Sequence, residues 1–358
     1  MKNNFWKNKK ILITGHTGFK GSWLTLILHG LGSKITGYAL NPISKPNFFD
    51  GLNLSRFLHK DYRNNILNFA KLRSVINKEK PQIIFHLAAQ SSVLESYKTP
   101  ISTINSNVLG TANLLEAIKF SKTVKSLVIA TTDKVYLNLE EKKPFNENDK
   151  LGGHDLYSGS KAAAEIITQS FTKSFFSKKN CNIATVRSGN CIGGGDWTKD
   201  RIVKDCAESF LRNKKLIIRS PNATRPWQHV IEPLFGYLNL SKKLYFNKKF
   251  SGSWNFGPKT KNSLKVKEVA FFGKNILNSK SKILVRKNKY YESTNLSLNS
   301  AKSRRLLKWK TVLTAKESLK LSFDWYKFYH ENRSKSKVID YTLSQIRKYK
   351  KKIKIYEM

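Results

Sequence analysis

Carboxylates are what this chain of 358 residues has too few of: 24 Asp and Glu stand against 66 Lys and Arg, a formal charge of +42. Cysteine is nearly absent. Cys181, Cys191 and Cys206 are odd in number and have no Cys-x-x-Cys spacing, which argues against a disulfide framework or a zinc site and predicts reduced thiols. No apolar run approaches the roughly 18–20 residues that a membrane span needs. The first residues, Met-Lys-Asn-Asn-Phe-Trp-Lys, carry no signal-peptide core. No cluster of His, Cys or Asp has metal-ligand spacing, so no metal is expected, and there are no internal repeats. These absences predict a cytoplasmic protein without a membrane partner.

What remains is globular in composition, with 40% hydrophobic and 25% charged residues. The length suggests about two domains. The positive charge could serve nucleic acid. It is scattered along the chain among many Asn, Ile and Phe residues, however, which fits compositional drift on solvated faces. Nucleic acid is therefore not expected as the primary partner, although the field should attract small anions.

The most informative stretch is Lys10-Ile-Leu-Ile-Thr-Gly-His-Thr-Gly-Phe-Lys-Gly-Ser-Trp-Leu24. A β-branched strand runs into Gly15, Gly18 and Gly21, and an apolar-periodic helix follows. Such glycines let the backbone turn and approach a pyrophosphate, which then rests on the first amides of the helix. The turn, with Thr17, Phe19 and Lys20, is expected to bind a dinucleotide.

Strand patterns at residues 11–14, 34–40, 58–62, 82–88, 126–131 and 183–188 alternate with helical ones near 22–31, 66–77, 107–120 and 157–176. This predicts an α/β fold with a Rossmann-type doubly wound parallel sheet, its ligands outside the carboxyl ends of the strands. After about residue 189 the rhythm breaks into Gly-, Pro- and Asn-rich loops. The expected organisation is a nucleotide-binding domain over 1–188 and a smaller C-terminal substrate domain over 189–330, some segments of which return to the first. A basic tail over 331–358 is expected to be a solvated helix or a partly disordered end.

Tyr157 and Lys161 stand four apart in a helical pattern, so both side chains share one face and the ammonium should lower the phenol pKa from its usual value of about 10. Tyr245 and Lys249 have the same spacing but lie in a basic, surface-like stretch. The first pair follows a strand end, Thr131-Thr-Asp133, and is the candidate acid–base centre.

Further stretches carry a family resemblance: Leu87-Ala-Ala-Gln90 after a strand, Asn107-Val-Leu-Gly-Thr111 and Trp254-Asn-Phe-Gly257. With the glycine turn and the Tyr-Lys pair, the chain from about residue 8 to 329 resembles the extended short-chain dehydrogenase/reductase family. Residues 16–24, Thr131-Thr-Asp-Lys134, Asn190-Cys-Ile-Gly-Gly-Gly-Asp-Trp197 and Arg225-Pro-Trp-Gln-His-Val230 resemble, more narrowly, its sugar-nucleotide 4,6-dehydratases acting on CDP-glucose. The resemblance implies an internal redox cycle. Tyr157 takes the C4 hydroxyl proton while a hydride passes from C4 to NAD, and Thr132 bonds the C4 oxygen. A base removes the C5 proton, Asp133 protonates the departing C6 hydroxyl, and the hydride returns to C6. Lys134 is either the base, if its pKa is depressed, or an electrostatic stabiliser of the enolate. Asp133 is alternatively a strand-end cap. A 4-epimerase is the rival within the fold, and dTDP- or GDP-linked sugars are rival substrates.

For the cofactor, the carboxylate that usually closes the second strand is missing. Asn41 stands there with Lys45 nearby, and Asp61 and Tyr62 end the third strand. NAD is thus implied mainly by the resemblance, which also places Leu87, Ala88, Ala89, Gln90 and Asn107 along it. Substrate contacts are expected from Gln90, Asn190, Asp196, Arg201, Arg225, Gln228 and His229, the arginines suiting phosphate. Trp197 and Trp227 could wall the base or simply pack. His229 and His86 also read as structural histidines. The helices around 107–120 and 157–176 carry outward apolar positions that, by the same resemblance, are expected to pair into a homodimer or a dimer of dimers.

Overall fold

The segment Lys-Ile-Leu-Ile-Thr forms β1 (Lys10–Thr14), which lies inside a seven-stranded sheet. The computed structural model describes residues 4–140, 143–258, 263–286, 296–332 and 334–353. Beside β1 lie β2 (Lys34–Ala39) and β4 (Ile83–His86), with β3 (Lys60–Arg63) outside β2. Beyond β4 follow β5 (Ser126–Ala130), β6 (Asn182–Arg187) and β7 (Gly252–Asn255). The spatial order is 3-2-1-4-5-6-7 and every pairing is parallel. It reverses between β1 and β4, which opens the crevice where ligands of such sheets bind.

A parallel sheet must be covered on both faces, so its strands are apolar on both. Ile11, Ile13, Ile83, Phe85 and Val128 enter one core cluster, and the intervening Leu12, Ile84, Leu127 and Ile129 enter the other. The first is covered by α1 (Phe19–His29). The second is covered by α2 (Phe69–Glu79), α3 (Gly110–Ile118) and partly by α4 (Leu156–Phe175). A π-helical turn, Asn105–Leu109, leads into α3. Asp155 caps α4 by accepting the Ser158 amide at 2.9 Å.

The later half returns to the first at several points. Within it, α5 (Ile202–Leu211) and α6 (Ile231–Phe246) precede β7, and α7 (Val266–Ile276) and α8 (Ala315–Glu331) follow. The Trp23 indole of α1 donates to the Gly194 carbonyl at 2.9 Å, which ties the first helix to the Gly-Gly-Gly-Asp-Trp loop.

Of the two readings of the basic C-terminal segment, the helix is the one found, but one face of it is packed rather than solvated. Its described part forms α9 (Lys335–Lys352), which buries Val338, Ile339, Thr342, Gln345, Ile346 and Tyr349. The Trp325 indole donates to Thr342 at 2.8 Å, and Tyr349 packs against Phe235. Lysines fill only the outer face, which is how an amphipathic helix can read as all charge.

Candidate active site

At the carboxyl end of β1 the chain turns at Gly15, whose φ of +77° and closeness to Ala88 admit no side chain: a Cβ would lie 2.6 Å from the Ala88 amide nitrogen. The first turn of α1 therefore faces the crevice with amides that lack intrahelical partners. Exposed Gly18 precedes it, and the Thr17 hydroxyl donates to the Leu40 carbonyl at 2.9 Å. At the end of β4, Leu87, Ala88, Ala89 and Gln90 are half-buried along the same crevice. Asn107 accepts the Gln90 amide at 2.9 Å, and its own amide donates to the Gln90 carbonyl and to Ser160 on α4. A cradle of this shape suits a dinucleotide pyrophosphate at Gly15, Gly18 and the Phe19–Gly21 turn.

The far end of the crevice is carboxylate-rich for so basic a chain. Asp61 accepts from His16 Nε2 at 2.8 Å and from Arg63 Nε at 2.8 Å and Nη2 at 2.9 Å. Burial opposes its charge, but these two partners hold its carboxyl down at about 2. Arg63 also donates to Asn41 and reaches Asp50 at 3.3 Å. Two carboxylates thus neutralise this cation. The Tyr62 hydroxyl turns to Glu79, to which it donates at 2.6 Å.

The chemical centre lies at the ends of β5 and β6 and the start of α4. Buried Thr132 donates to Asp133 Oδ1 at 3.0 Å, and the Tyr157 phenol shares a hydrogen bond with Thr132. Asp133 Oδ2 is buried without a partner. Burial raises the Asp133 carboxyl above its ordinary value, against the pull of Lys134, Thr132, Arg225 and Lys20. That makes it a carboxyl able to hold a proton. Lys134 is half-buried beside it.

The cations are arranged differently from expectation. Lys161 is buried and donates to the Ala130 carbonyl at 3.1 Å; burial and Lys20 depress its ammonium to about 8. The cation nearest in effect to the Tyr157 phenol is Lys20, followed by Arg201. Burial outweighs both and pushes the phenol up, so the lowering expected from Lys161 does not occur. Lys20 itself leaves the glycine turn to donate to Ser188 at 2.8 Å, where the Tyr237 hydroxyl also donates at 2.8 Å. Despite its burial, neighbouring Cys191, Tyr237 and Tyr157 raise the Lys20 ammonium.

Behind this centre a buried ion pair fixes the strand ends. Glu165 lies four residues after Lys161 and eight after Tyr157, on the same face of α4. Its carboxylate accepts from Thr131 at 2.6 Å, from Thr185 at 3.1 Å, from Ser253 at 3.2 Å and from both forks of Arg187. Arg187 in turn donates to the Tyr136 hydroxyl at 2.7 Å. Three strands and α4 thereby converge one residue before Thr132. Sequence reasoning missed this pair, Ser188 and Tyr237; the i, i+4, i+8 spacing of Tyr157, Lys161 and Glu165 was the available signal.

On the substrate side, Arg201 spans the crevice between the Ser91 carbonyl at 3.4 Å and Asp196 at 3.7 Å. Arg225 is buried near enough to act on Asp133 and donates to the Thr224 carbonyl at 2.9 Å. Asn190 is half-buried, its carbonyl accepting the Gln228 amide at 3.3 Å. Two expected contacts belong to the core. Gln228 is fully buried and donates to the Phe256 carbonyl at 2.9 Å. His229 is fully buried against Trp23, and burial depresses its imidazole to about 3. Trp227 is buried and Trp197 packs on Tyr326 and Tyr329. His86, bonded to Thr14 at 2.7 Å, is a strut between β1 and β4. Among the described residues no group of His, Cys, Asp and Glu could hold a metal ion, and no helix is long and apolar enough to cross a membrane.

A dinucleotide crevice joined to a Tyr-Lys pair and a protonatable carboxyl is the plan of a short-chain dehydrogenase/reductase of the extended kind. The model of the GDP-mannose 4,6 dehydratase family matches residues 12–321, and the chain belongs to that family. It is 41% identical over 335 residues to the CDP-glucose 4,6-dehydratase of Salmonella typhimurium, covering 90% of this chain and 92% of that protein. It is 32% identical to the dTDP-D-glucose 4,6-dehydratase of Dictyostelium discoideum over 59% of this chain and 50% of that one. Among solved structures, the dTDP-glucose 4,6-dehydratase of Bacillus anthracis in complex with NAD superposes with a TM-score of 0.76 at 23% identity, covering 90% of this chain and 98% of that one. An epimerase of Methanothermobacter thermautotrophicus gives 0.80 at 22%, covering 92% and 95%. These two likenesses establish the fold.

Proposed function

We propose that the chain is a redox-neutral lyase that converts CDP-D-glucose to CDP-4-dehydro-6-deoxy-D-glucose. The observation that carries this reading is Asp133: a buried carboxyl, raised by burial, with one oxygen unpartnered beside the Thr132–Tyr157 hydrogen bond. A 4-epimerase needs a base at C4 only. A second group that holds a proton is what a departing C6 hydroxyl requires.

Gly15, Gly18 and the Phe19–Gly21 turn would hold NAD, which would supply the hydride chemistry that links C4 to C6. The neutralised Arg63 supports NAD over its 2′-phosphorylated counterpart, because a phosphate there would face Asp61 and Asp50. The residues of the chain divide the proton transfers. Tyr157 receives the C4 hydroxyl proton, with Thr132 bonded to the same oxygen and Lys20 nearby to favour the phenolate. Lys134 removes the C5 proton, which the C4 carbonyl has acidified, and returns a proton to C5 when C6 receives the hydride. Asp133 delivers its proton to the C6 hydroxyl, and water leaves. Arg201 and Arg225 suit the diphosphate, their forked donors matching its oxygens.

The division into a cofactor domain over 1–188 and a substrate domain over 189–330 fits this sharing of roles. The working unit is a homodimer, a reading supported by exposed Ile101, Ile104, Leu109 and Ile166 on the helices around α3 and on α4. It works in the cytoplasm, and its product feeds deoxysugar synthesis for surface polysaccharide such as O-antigen.

The test is purified protein with NAD and a panel of CDP-, dTDP- and GDP-linked sugars. CDP-glucose should give a product lighter by one water, with kcat/KM at least about tenfold above the other nucleotides. A product of unchanged mass would mean epimerisation, and preference for another base would reassign the substrate.

A further inference from the structure

The opposite end of the sheet holds a feature that dehydration does not use. Four segments meet at the amino ends of β1, β5 and β6: residues 5–10, 119–125, 173–180 and 242–250. Hydrogen bonds join the last three into one face, and the Lys9 ammonium donates to the Tyr245 hydroxyl at 3.4 Å. Lys179 donates to the Lys119 carbonyl, Lys248 to the Ser177 carbonyl and the Asn182 side chain to the Leu244 carbonyl, while the Asn182 amide donates to the Lys125 carbonyl at 3.0 Å. These 30 residues contain thirteen lysines, eight aromatics and no Asp or Glu. At the average of the chain, 66 Lys and Arg in 358 residues, they would hold about five or six basic residues. Drift alone therefore does not account for the face. Glu116, 2.7 Å from Lys119, offsets one of its charges.

Three of the aromatics are displayed, Phe246 being 70% exposed, Phe120 61% and Phe175 44%, whereas Trp6, Phe176 and Tyr245 are buried. Lysines lie over the rings. Lys119 stands 4.9 Å from the centroids of both Phe120 and Phe175, with Arg73 and Lys179 also over Phe120. Lys9 and Lys125 cover Tyr245, and Lys243 and Lys249 cover Phe250. Base stacking needs open ring faces, and those of Phe120, Phe175, Tyr245 and Phe250 carry cations. A lipid headgroup layer needs the reverse: ammonium groups at phosphate depth and ring edges pointing into the interface.

We propose that this face docks on the surface of a bilayer containing anionic phospholipid, leaving the crevice at the carboxyl ends of the strands open to solution. The inference does not rest on the substrate assigned above.

Full-length protein would be sedimented with phosphatidylcholine vesicles, with or without about 30% phosphatidylglycerol. Binding should require the anionic lipid. The variant Lys119→Glu/Lys122→Glu/Lys248→Glu/Lys249→Glu should lower partitioning more than about tenfold, and Phe120→Ser/Phe246→Ser should lower it several-fold at unchanged charge. Both should keep wild-type dehydratase turnover in solution, which also reports folding. The matched reversal Lys335→Glu/Lys337→Glu/Lys348→Glu/Lys351→Glu on the outer face of α9 should have the smaller effect. The proposal is overturned by equal binding to pure phosphatidylcholine, by indifference to the phenylalanine variant, by an equal effect of the α9 reversal, or by a single-stranded oligonucleotide that displaces the protein from the vesicles.

Discussion

Gly189 offers a sharp test of how the acid is held. A Cβ there would lie 2.9 Å from Asp133 Oδ2 and 3.7 Å from its Cγ, with Pro226 behind at 3.9 Å. Relieving that contact means moving the carboxyl by about half an ångström or rotating it off the Thr132 bond. A misplacement of 1 Å can cost about a hundredfold in rate, so Gly189→Ala should slow water loss about tenfold. The earlier steps involve other side chains and should persist. In heavy water, CDP-glucose recovered from the variant should therefore carry deuterium at C5 while product accumulates slowly, as mass spectrometry would read. Thermal unfolding should change little, because the methyl meets the flexible end of a side chain rather than backbone. Wild-type turnover would refute the argument, and so would an equal loss of C5 exchange and product.

Other consequences are as specific. Lys134→Arg keeps the charge and Lys134→Gln removes it; if Lys134 takes the C5 proton, both should lose about a hundredfold or more in C5 exchange, whereas exchange retained in the arginine variant would make it a stabiliser. Glu165→Gln breaks the buried pair with Arg187 and should cost about 3–5 kcal/mol by urea unfolding; a loss below about 1 kcal/mol would contradict the role given to that pair. Burial pushes the Glu232 carboxyl up to about 8, although Oε1 accepts the Val312 and Leu313 amides. Between its ordinary value of 4.5 and about 8, the folded chain keeps a proton that the unfolded chain has lost, so stability should fall as pH rises through that window. Glu232→Gln should flatten the fall, and an unchanged slope would remove Glu232 as its source.

Local pattern made the sheet and its helices legible, because β1 to β6 and the helices between them carry runs with clear periods. The strand Gly252–Asn255 carries too few apolar residues for a period, and its place is decided by pairing with β6 some 70 residues earlier. In the site, Tyr157 and the glycine turn stand out because each rests on local spacing, whereas Asp133 is marked by the resemblance that Thr131-Thr-Asp-Lys134 carries. The reach of Lys20 to Ser188, 168 residues away, is a tertiary fact. So is the turn of Lys161 toward the Ala130 carbonyl, which takes it off the expected role beside the phenol. Gln228 and His229 share a motif with Arg225, yet the short strand Gln228–His229 pairs with Cys191–Ile192 and carries both side chains into the core. In α9 the apolar spacing was present but obscured by lysines on the outer face.

The most direct measurement follows one hydrogen. CDP-glucose labelled with deuterium at C4 should give a 6-deoxy product bearing that deuterium on C6, with no net change in NAD. Deuterium lost to water, or retained at C4, would contradict the internal hydride cycle on which the account rests.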